Sequence, residues 1–449
     1  VSPTAKAVEA AQRPLALRIT VKRVLIRQEI SGGPMPSDRK IPWRAEAVLL
    51  GSGMFGNVAM SALSPALPKI ERAFAGTPNV EYMTKLIVAA VGLGVILITP
   101  FTGLMIRRFG RRAVVVGAYS VFLVVGMAGM VLPSLPLVIA SRFITGGAGA
   151  VVVAMGLILI GDHYEGHARE RRIGACHAIG ALLVGVVIQA AGFLADVNWR
   201  YAFLVHLTAI PMLLLALASP ELARPELEAA VQPAADRARR ERLPPAVWLI
   251  GFVTVAAGAI GYSVQIFVPF HLRDIGANSA ALASTMIVIT VVTSVATSLL
   301  YAEVRRFLSP AAVFAVGFAG WAAGLAFTGL THTVASTIGA MVVIGLAGGL
   351  MGPNIFSLLS AVTPDPVRPR AVGLIKGIYY FGPFIGPTVL QLLSLQRRAE
   401  TALLALAVFG AAFAVLCLVG GVFFKAPQPR NAQEDLDAAL QAELEADRA

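Results

Sequence analysis

Long runs without Asp, Glu, Lys or Arg, parted by short charged or proline-marked breaks, organise this chain. An α-helix rises 1.5 Å per residue, so crossing the hydrocarbon of a bilayer takes about 20 apolar residues. The runs have that length. Residues 47–68, 86–106, 113–141, 143–161, 173–195 and 201–219 read as spans one to six, with a turn near Pro133 and Pro136 between the third and fourth. Residues 247–272 and 275–302 read as spans seven and eight. Residues 307–364 hold none of the four charged residue types and are too long for one crossing. They are therefore expected to form a hairpin, spans nine and ten, turning at Thr331, His332 and Thr333. Residues 371–396, interrupted by Lys376, and 401–424 complete the set.

The pattern predicts an all-α integral membrane protein with 12 transmembrane helices in two pseudo-symmetric six-helix bundles. A basic segment, 1–44, precedes the first bundle, 45–219. A polar, proline-punctuated linker, 220–245, leads to the second bundle, 246–424. In the acidic tail, 425–449, Leu436, Leu440 and Leu444 recur at helical spacing and predict a short surface helix.

Composition removes the soluble alternatives. The 449 residues are 57% hydrophobic and 14% charged, against about 25% charged in soluble domains. The net charge of +12 would point a soluble protein toward nucleic acid. Here the basic residues sit in short connections, so the expected partners are the lipid bilayer and a small-molecule substrate, with no nucleic acid. With both ends on one side, that side's connections hold sixteen arginines, among them Arg169, Arg171, Arg172, Arg305, Arg306, Arg368 and Arg370; the other side's turns hold far fewer Lys or Arg. Basic loops stay cytoplasmic. Both termini are therefore expected in the cytoplasm of a cell whose inner membrane holds the chain.

Residues 1–44 carry nine Lys or Arg against three acids and show no secretory signal. Met35 lies just ahead of the lead into span one, so residues 1–34 are either a basic arm on anionic lipid or lie upstream of the native start. Cys176 and Cys417 stand far apart within apolar runs and read as packing residues. No metal, cofactor or enzymatic activity is expected, and a monomer is.

The halves echo one another. Arg107, Arg108 and Phe109 recur as Arg305, Arg306 and Phe307; Gly180 and Gly185 recur as Gly377 and Gly382; the offsets agree within one residue. Parallel repeats of this kind place a substrate cavity at their interface near mid-membrane, opened alternately to each side.

Two motifs sharpen this. After span two stand Gly103, Arg107, Arg108, Gly110, Arg111 and Arg112. In span four, Arg142 is followed by Gly146, Gly147 and Gly149. Together they resemble the major facilitator superfamily, nearest its drug–proton antiporter branch, over about residues 45–424. The resemblance implies that the first motif is a cytoplasmic gating loop and that Arg142, with Gly146 and Gly149, serves proton coupling. The alternative for Arg142 is that it snorkels to the nearby surface. The family's acidic position is Arg107 here, so Asp162 and Glu165, at the end of span four, are expected to supply the missing negative charge. The antiporter segment of span five is reduced to 187–192, while Gly382, Pro383, Gly386 and Pro387 form a comparable string in span eleven. Uniport and symport therefore stay open beside antiport.

The glycine pairs Gly345/Gly349, Gly348/Gly352, Gly373/Gly377 and Gly382/Gly386 read as helix-packing sites. Polar or aromatic groups within spans are the candidate cavity lining: Asn57, Gln189, Gln265, Asn354, Lys376, Tyr379, Tyr380 and Gln391, with Tyr262 next. His177 and His206 are titratable but read as packing residues. The spans as drawn contain no Asp or Glu, and their embedded charges are Arg142 and Lys376, so an anionic or neutral organic solute is expected. No phosphate-binding loop and no catalytic set occurs. A secondary transporter, proton-coupled and exporting, is the leading reading; a channel or receptor is the rival from another class.

Overall fold

The computed structural model describes residues 41–164, 166–223, 242–364, 367–393 and 398–423. Glu165, residues 1–40, most of the linker and the tail beyond Phe423, with its expected surface helix, lie outside them. Helices of crossing length fill the described residues: α1 (Trp43–Ala73), α2 (Val80–Phe109), α3 (Arg111–Ala128), α4 (Leu135–His163), α5 (Ala168–Val197) and α6 (Trp199–Leu217), then α7 (Pro245–Asp274), α8 (Ala280–Leu299), α9 (Pro310–Leu330), α10 (Val334–Val362), α11 (Arg368–Leu392) and α12 (Ala399–Phe423). Eleven are apolar enough to cross a membrane on length and composition alone. The twelfth, α11, carries Lys376, Pro383 and Pro387.

Packing repeats with a six-helix offset. α2 and α3 pack on α4 as α8 and α9 pack on α10, and α9 packs on α12 as α3 packs on α6. Between the halves the main contacts are α5 with α8 and α2 with α11, pairs that the same offset exchanges. The twelve-helix, two-bundle fold expected from the sequence is thus the one observed. Its outer wall is apolar and open: Leu182, Leu299 and Phe307 are 74%, 79% and 85% exposed. Such surface is stable only against lipid.

The hairpin turn falls as expected, with α9 ending at Leu330 and α10 starting at Val334. The third break also falls at the expected turn: α3 stops at Ala128, and the chain turns through Pro133 before α4 begins at Leu135, so the last residues drawn with span three, 135–141, belong to α4. Arg142 therefore lies inside α4, about 10 Å from its end at 1.5 Å per residue.

Glycine decides how closely helices meet. A β-carbon at Gly94 would strike the Phe143 carbonyl, and one at Gly146 the Val91 carbonyl, so α2 and α4 touch backbone to backbone. Gly345 and Gly349 do the same against Thr290 and Ser294 of α8. Gly110, between α2 and α3, has φ +79°, a conformation that costs other residues steric strain.

Candidate functional site

The twelve helices leave two faces, one rich in arginine (Arg107, Arg108, Arg111, Arg112, Arg171, Arg305, Arg306, Arg368) and one opposite. At the opposite face the halves are fastened by a set of polar contacts. The first turn of a helix presents N–H groups without helical partners, and in α8 these are met from two sources. Ala280 N donates to Asp196 Oδ1 at 2.7 Å and Ala281 N to Asp196 Oδ2 at 3.1 Å, while Leu282 N donates to the Ser279 hydroxyl. Ser279 Oγ also donates to Asp196 Oδ2 at 2.7 Å. A carboxylate from α5 thus caps a helix of the other half, where the dipole favours negative charge. Lys69 of α1 holds the same carboxylate at 2.7 Å. Nearby, Gln189 donates to Ala281 O and accepts from Thr285. Arg273 of α7 pairs with Glu71 of α1 at 2.8 Å, and the hydroxyls of Tyr82 and Thr388 lie 3.2 Å apart, joining α2 to α11.

Under this fastening lies Lys85, which the sequence reading left just outside span two. The helix starts at Val80, so Lys85 sits inside it and is 3% exposed. Its ammonium donates to Glu81 O at 3.0 Å and rests over the rings of Phe267 and Phe270 of α7. Lys85 lines a small pocket with Glu71, Glu81 and Arg273. Its signal in the sequence is its spacing, one turn beyond Glu81 on the same helix face.

Toward mid-membrane the two halves approach at α1, α2, α7 and α11. Pro383 has no N–H for the Tyr379 carbonyl four residues back, and that freed carbonyl meets α7 at Gly258, where a β-carbon would collide with it. The Tyr380 carbonyl meets Gly92 of α2 in the same way. The Tyr380 hydroxyl points at Gly56 of α1. Asn57, the next residue, is exposed although its neighbours on α1 are buried. One turn from Tyr380, half-buried Lys376 faces the exposed Phe356 ring at 5.8 Å and lies within electrostatic reach of Cys176 and His177 on α5. β-carbons at Gly373 and Gly377, either side of it, would meet nothing within 4 Å. Among the described residues, every Asp and Glu of the spans lies near a helix end, so the central region holds Lys376 and no carboxylate.

Arg142 does not take the snorkelling position weighed from sequence, since it is 1% exposed. Both terminal guanidinium nitrogens donate to His206 Nε2, at 3.2 and 3.1 Å. A carbonyl only accepts, so the 2.7 Å contact from His206 Nδ1 to Phe203 O fixes the proton on Nδ1 and leaves Nε2 as the acceptor. His206, on α6, is thus a specific partner, and the Phe203 ring lies beneath the guanidinium. Gly146 and Gly149 press against Val91 and Phe55, which places both at helix contacts.

At the arginine-rich face, Arg111 and Asp162 form a nearly buried ion pair, Nη1 to Oδ2 at 2.8 Å, without the alignment of a hydrogen bond. Gly103, Arg107 and Arg108 are exposed, and Arg112 donates to Leu217 O of α6. The expected negative partner of the loop is therefore Asp162, reached from α3 within one half; Glu165 lies outside the described residues.

Of the expected cavity residues, Asn57, Lys376, Tyr379 and Tyr380 come together around the mid-membrane junction. Gln265 lies one turn past Tyr262 on α7, its amide oxygen buried without a hydrogen-bond partner. Gln189 belongs to the fastening between α5 and α8. Asn354 is fully buried and spends its amide on Tyr301 Oη and Pro310 O, a cross-link of α10 to the start of α9. Gln391 sits at the far end of α11, away from the centre. Residue type alone does not separate a cavity amide from a helix cross-link, which is why these three were grouped with the rest.

A family model described as Major Facilitator Superfamily matches residues 49–387, with a second match over 250–445. The multidrug transporter protein MdtP of Bacillus subtilis is 26% identical over 170 residues, 36% of this chain and 31% of that protein. The probable actinorhodin transporter of Streptomyces coelicolor is 27% identical over 248 residues, 53% of this chain and 41% of that protein. The chain thus spans less than half the length of the curated relatives it matches. A D-xylose–proton symporter superposes with TM-score 0.67 at 18% identity, covering 84% of this chain and 97% of the other. The inward open form of the E. coli xylose transporter XylE superposes with TM-score 0.67 at 16% identity, covering 88% and 98%. At such identities the likeness is one of fold.

Proposed function

Because this chain belongs to the Major Facilitator Superfamily, we propose that it carries a small anionic or neutral organic solute across the inner membrane by alternating access, exporting it in exchange for protons. The arginine-rich face is cytoplasmic in this reading, and the closed fastening at the opposite face makes the structure a cytoplasm-facing state. Lys376 carries the argument. An ammonium in the middle of the fold with no carboxylate near it among the described residues is costly in a medium of low polarity. A negative solute lowers that cost; a cationic one raises it. Export is supported by the relatives named as multidrug and actinorhodin transporters. Arg142 and His206 are the site proposed for coupling, since a buried cation with a titratable partner responds to a proton. The reduced segment at 187–192 favours a second reading, uniport or symport.

Proteoliposomes test this with naphthalene-2-sulfonate, a permanently charged probe that does not diffuse through lipid. The expected result is saturable flux that an opposing proton gradient accelerates and that Lys376→Gln slows at least tenfold. Flux indifferent to the gradient would establish uniport. Saturable transport of ethidium that organic anions do not compete would overturn the assignment of charge.

A further inference from the structure

We infer that the solute is a planar aromatic anion, recognised by a tyrosine cluster that stands one helical turn from Lys376. The inference rests on the carrier reading above and narrows its substrate class. Tyr262 of α7 and Tyr379 and Tyr380 of α11 form a three-ring cluster, with centroids 5.5, 6.3 and 6.0 Å apart. Their planes are mutually inclined, at 57°, 37° and 72°, so edges and faces both point outward from the cluster. Aromatic rings prefer edge-to-face or offset contact, and a flat guest meets both here. The cluster straddles the junction of the halves: α7 and α11 supply the rings, and Gly56 of α1 leaves room at the Tyr380 hydroxyl.

The charge lies on the same helix face. Residues three and four apart on a helix are neighbours, which places Tyr379 and Tyr380 next to Lys376. The Phe356 ring, 37% exposed, stands on the other side of the ammonium. Lys376 is therefore flanked by aromatic surface, and its flanking glycines leave space around it. An aliphatic anion satisfies the ammonium but gives the outward edges and faces of the rings no aromatic partner. A neutral aromatic fills the rings but leaves the ammonium uncompensated. A fused-ring acid satisfies both. At the far end of the site the unpartnered Gln265 amide oxygen accepts from a hydroxyl or N–H of the guest.

Three probes of matched shape separate the terms: naphthalene-2-sulfonate, its decahydro analogue, and naphthalene-2-sulfonamide. Dissociation constants are read from ligand-induced thermal shifts on the purified full-length chain. The aromatic sulfonate is expected to bind about tenfold more tightly than the saturated one, the size of one or two ring contacts, and at least tenfold more tightly than the sulfonamide. Tyr379→Leu is expected to abolish the first ratio and keep the second; Lys376→Gln does the reverse. Phe356→Leu, at an exposed ring, gives the first readout if Tyr379→Leu fails to fold. Equal binding of the two sulfonates, both above the sulfonamide, overturns the aromatic inference and leaves the anion reading standing. Equal binding of sulfonate and sulfonamide overturns the anion reading instead. Failure of all three to bind at millimolar concentration overturns both.

Discussion

Replacing Asp196 with Ala tests whether the fastening between α5 and α8 sets the balance of conformers. Only contacts that differ between the two states shift that balance. Lys69 belongs to the same half as Asp196 and stays with it in either state, so the 2.7 Å pair between them contributes nothing. What is lost on opening is the cross-half set: two backbone N–H groups and one hydroxyl, at 2.7, 3.1 and 2.7 Å. Each hydrogen bond is worth about 0.5–1.5 kcal/mol net of rehydration. The Asp196 side chain is 30% exposed, so water replaces part of that on opening, and a discount of about one half is due. The remainder is about 1–2 kcal/mol, roughly a 5- to 30-fold change in the conformer ratio. Spin labels at Val197→Cys and Asn278→Cys, both exposed next to the fastening, report the separation of the halves by pulsed dipolar spectroscopy. In Asp196→Ala the long-distance population should rise by that factor, and Asp196→Asn should fall between. An unchanged distance distribution in the Ala variant, with the chain folded, would show that the close approach of Gly192 to Ala280 and Ser284 closes this face without help from the carboxylate.

Asp162→Asn gives the converse. Its partner Arg111 lies in the same half, so the variant should lose about 1–3 kcal/mol of stability, seen as a lower Tm, while the label distances stay as they were. Arg142→Leu strands the His206 Nε2 acceptor in an apolar core and should cost about 2–4 kcal/mol. The double variant Arg142→Leu, His206→Phe should recover part of that, and a double variant as unstable as the single one would refute the pairing. Gly258→Val drives a side chain into the Tyr379 carbonyl and should abolish transport, whereas Gly261→Ala, whose β-carbon meets its nearest neighbour at 3.5 Å, should be tolerated; comparable flux from both variants would refute the close α7–α11 contact.

The site was legible unevenly. Lys376, Tyr379, Tyr380 and Asn57, which the structure brings to the junction of the halves, were conspicuous in the sequence because polar groups stand out against an apolar span. Lys85 was missed for the opposite reason: lying beside Glu81 at the edge of an uncharged run, it looks like a loop residue until the helix is seen to begin at Val80. Asp196 was passed over as the end of span five, because the N–H groups it satisfies belong to a helix of the other half, 84 and 85 residues further along the chain.

The sequence by itself determined the solvent of this protein and therefore its class. Uncharged runs of crossing length admit only helices in lipid, since every backbone polar group must be satisfied within its own segment. The number of helices, the hairpin at Thr331–Thr333 and the repeat of the two halves follow from that local rule. Tertiary structure alone decided which polar residues tie helices together and which are left for the proposed site. Gln189, Asn354 and Lys376 are equally conspicuous in the sequence, yet the first fastens the halves, the second cross-links one bundle, and the third stands uncompensated at the centre. That assignment depends on partners supplied by other helices, and no periodicity within one segment encodes them.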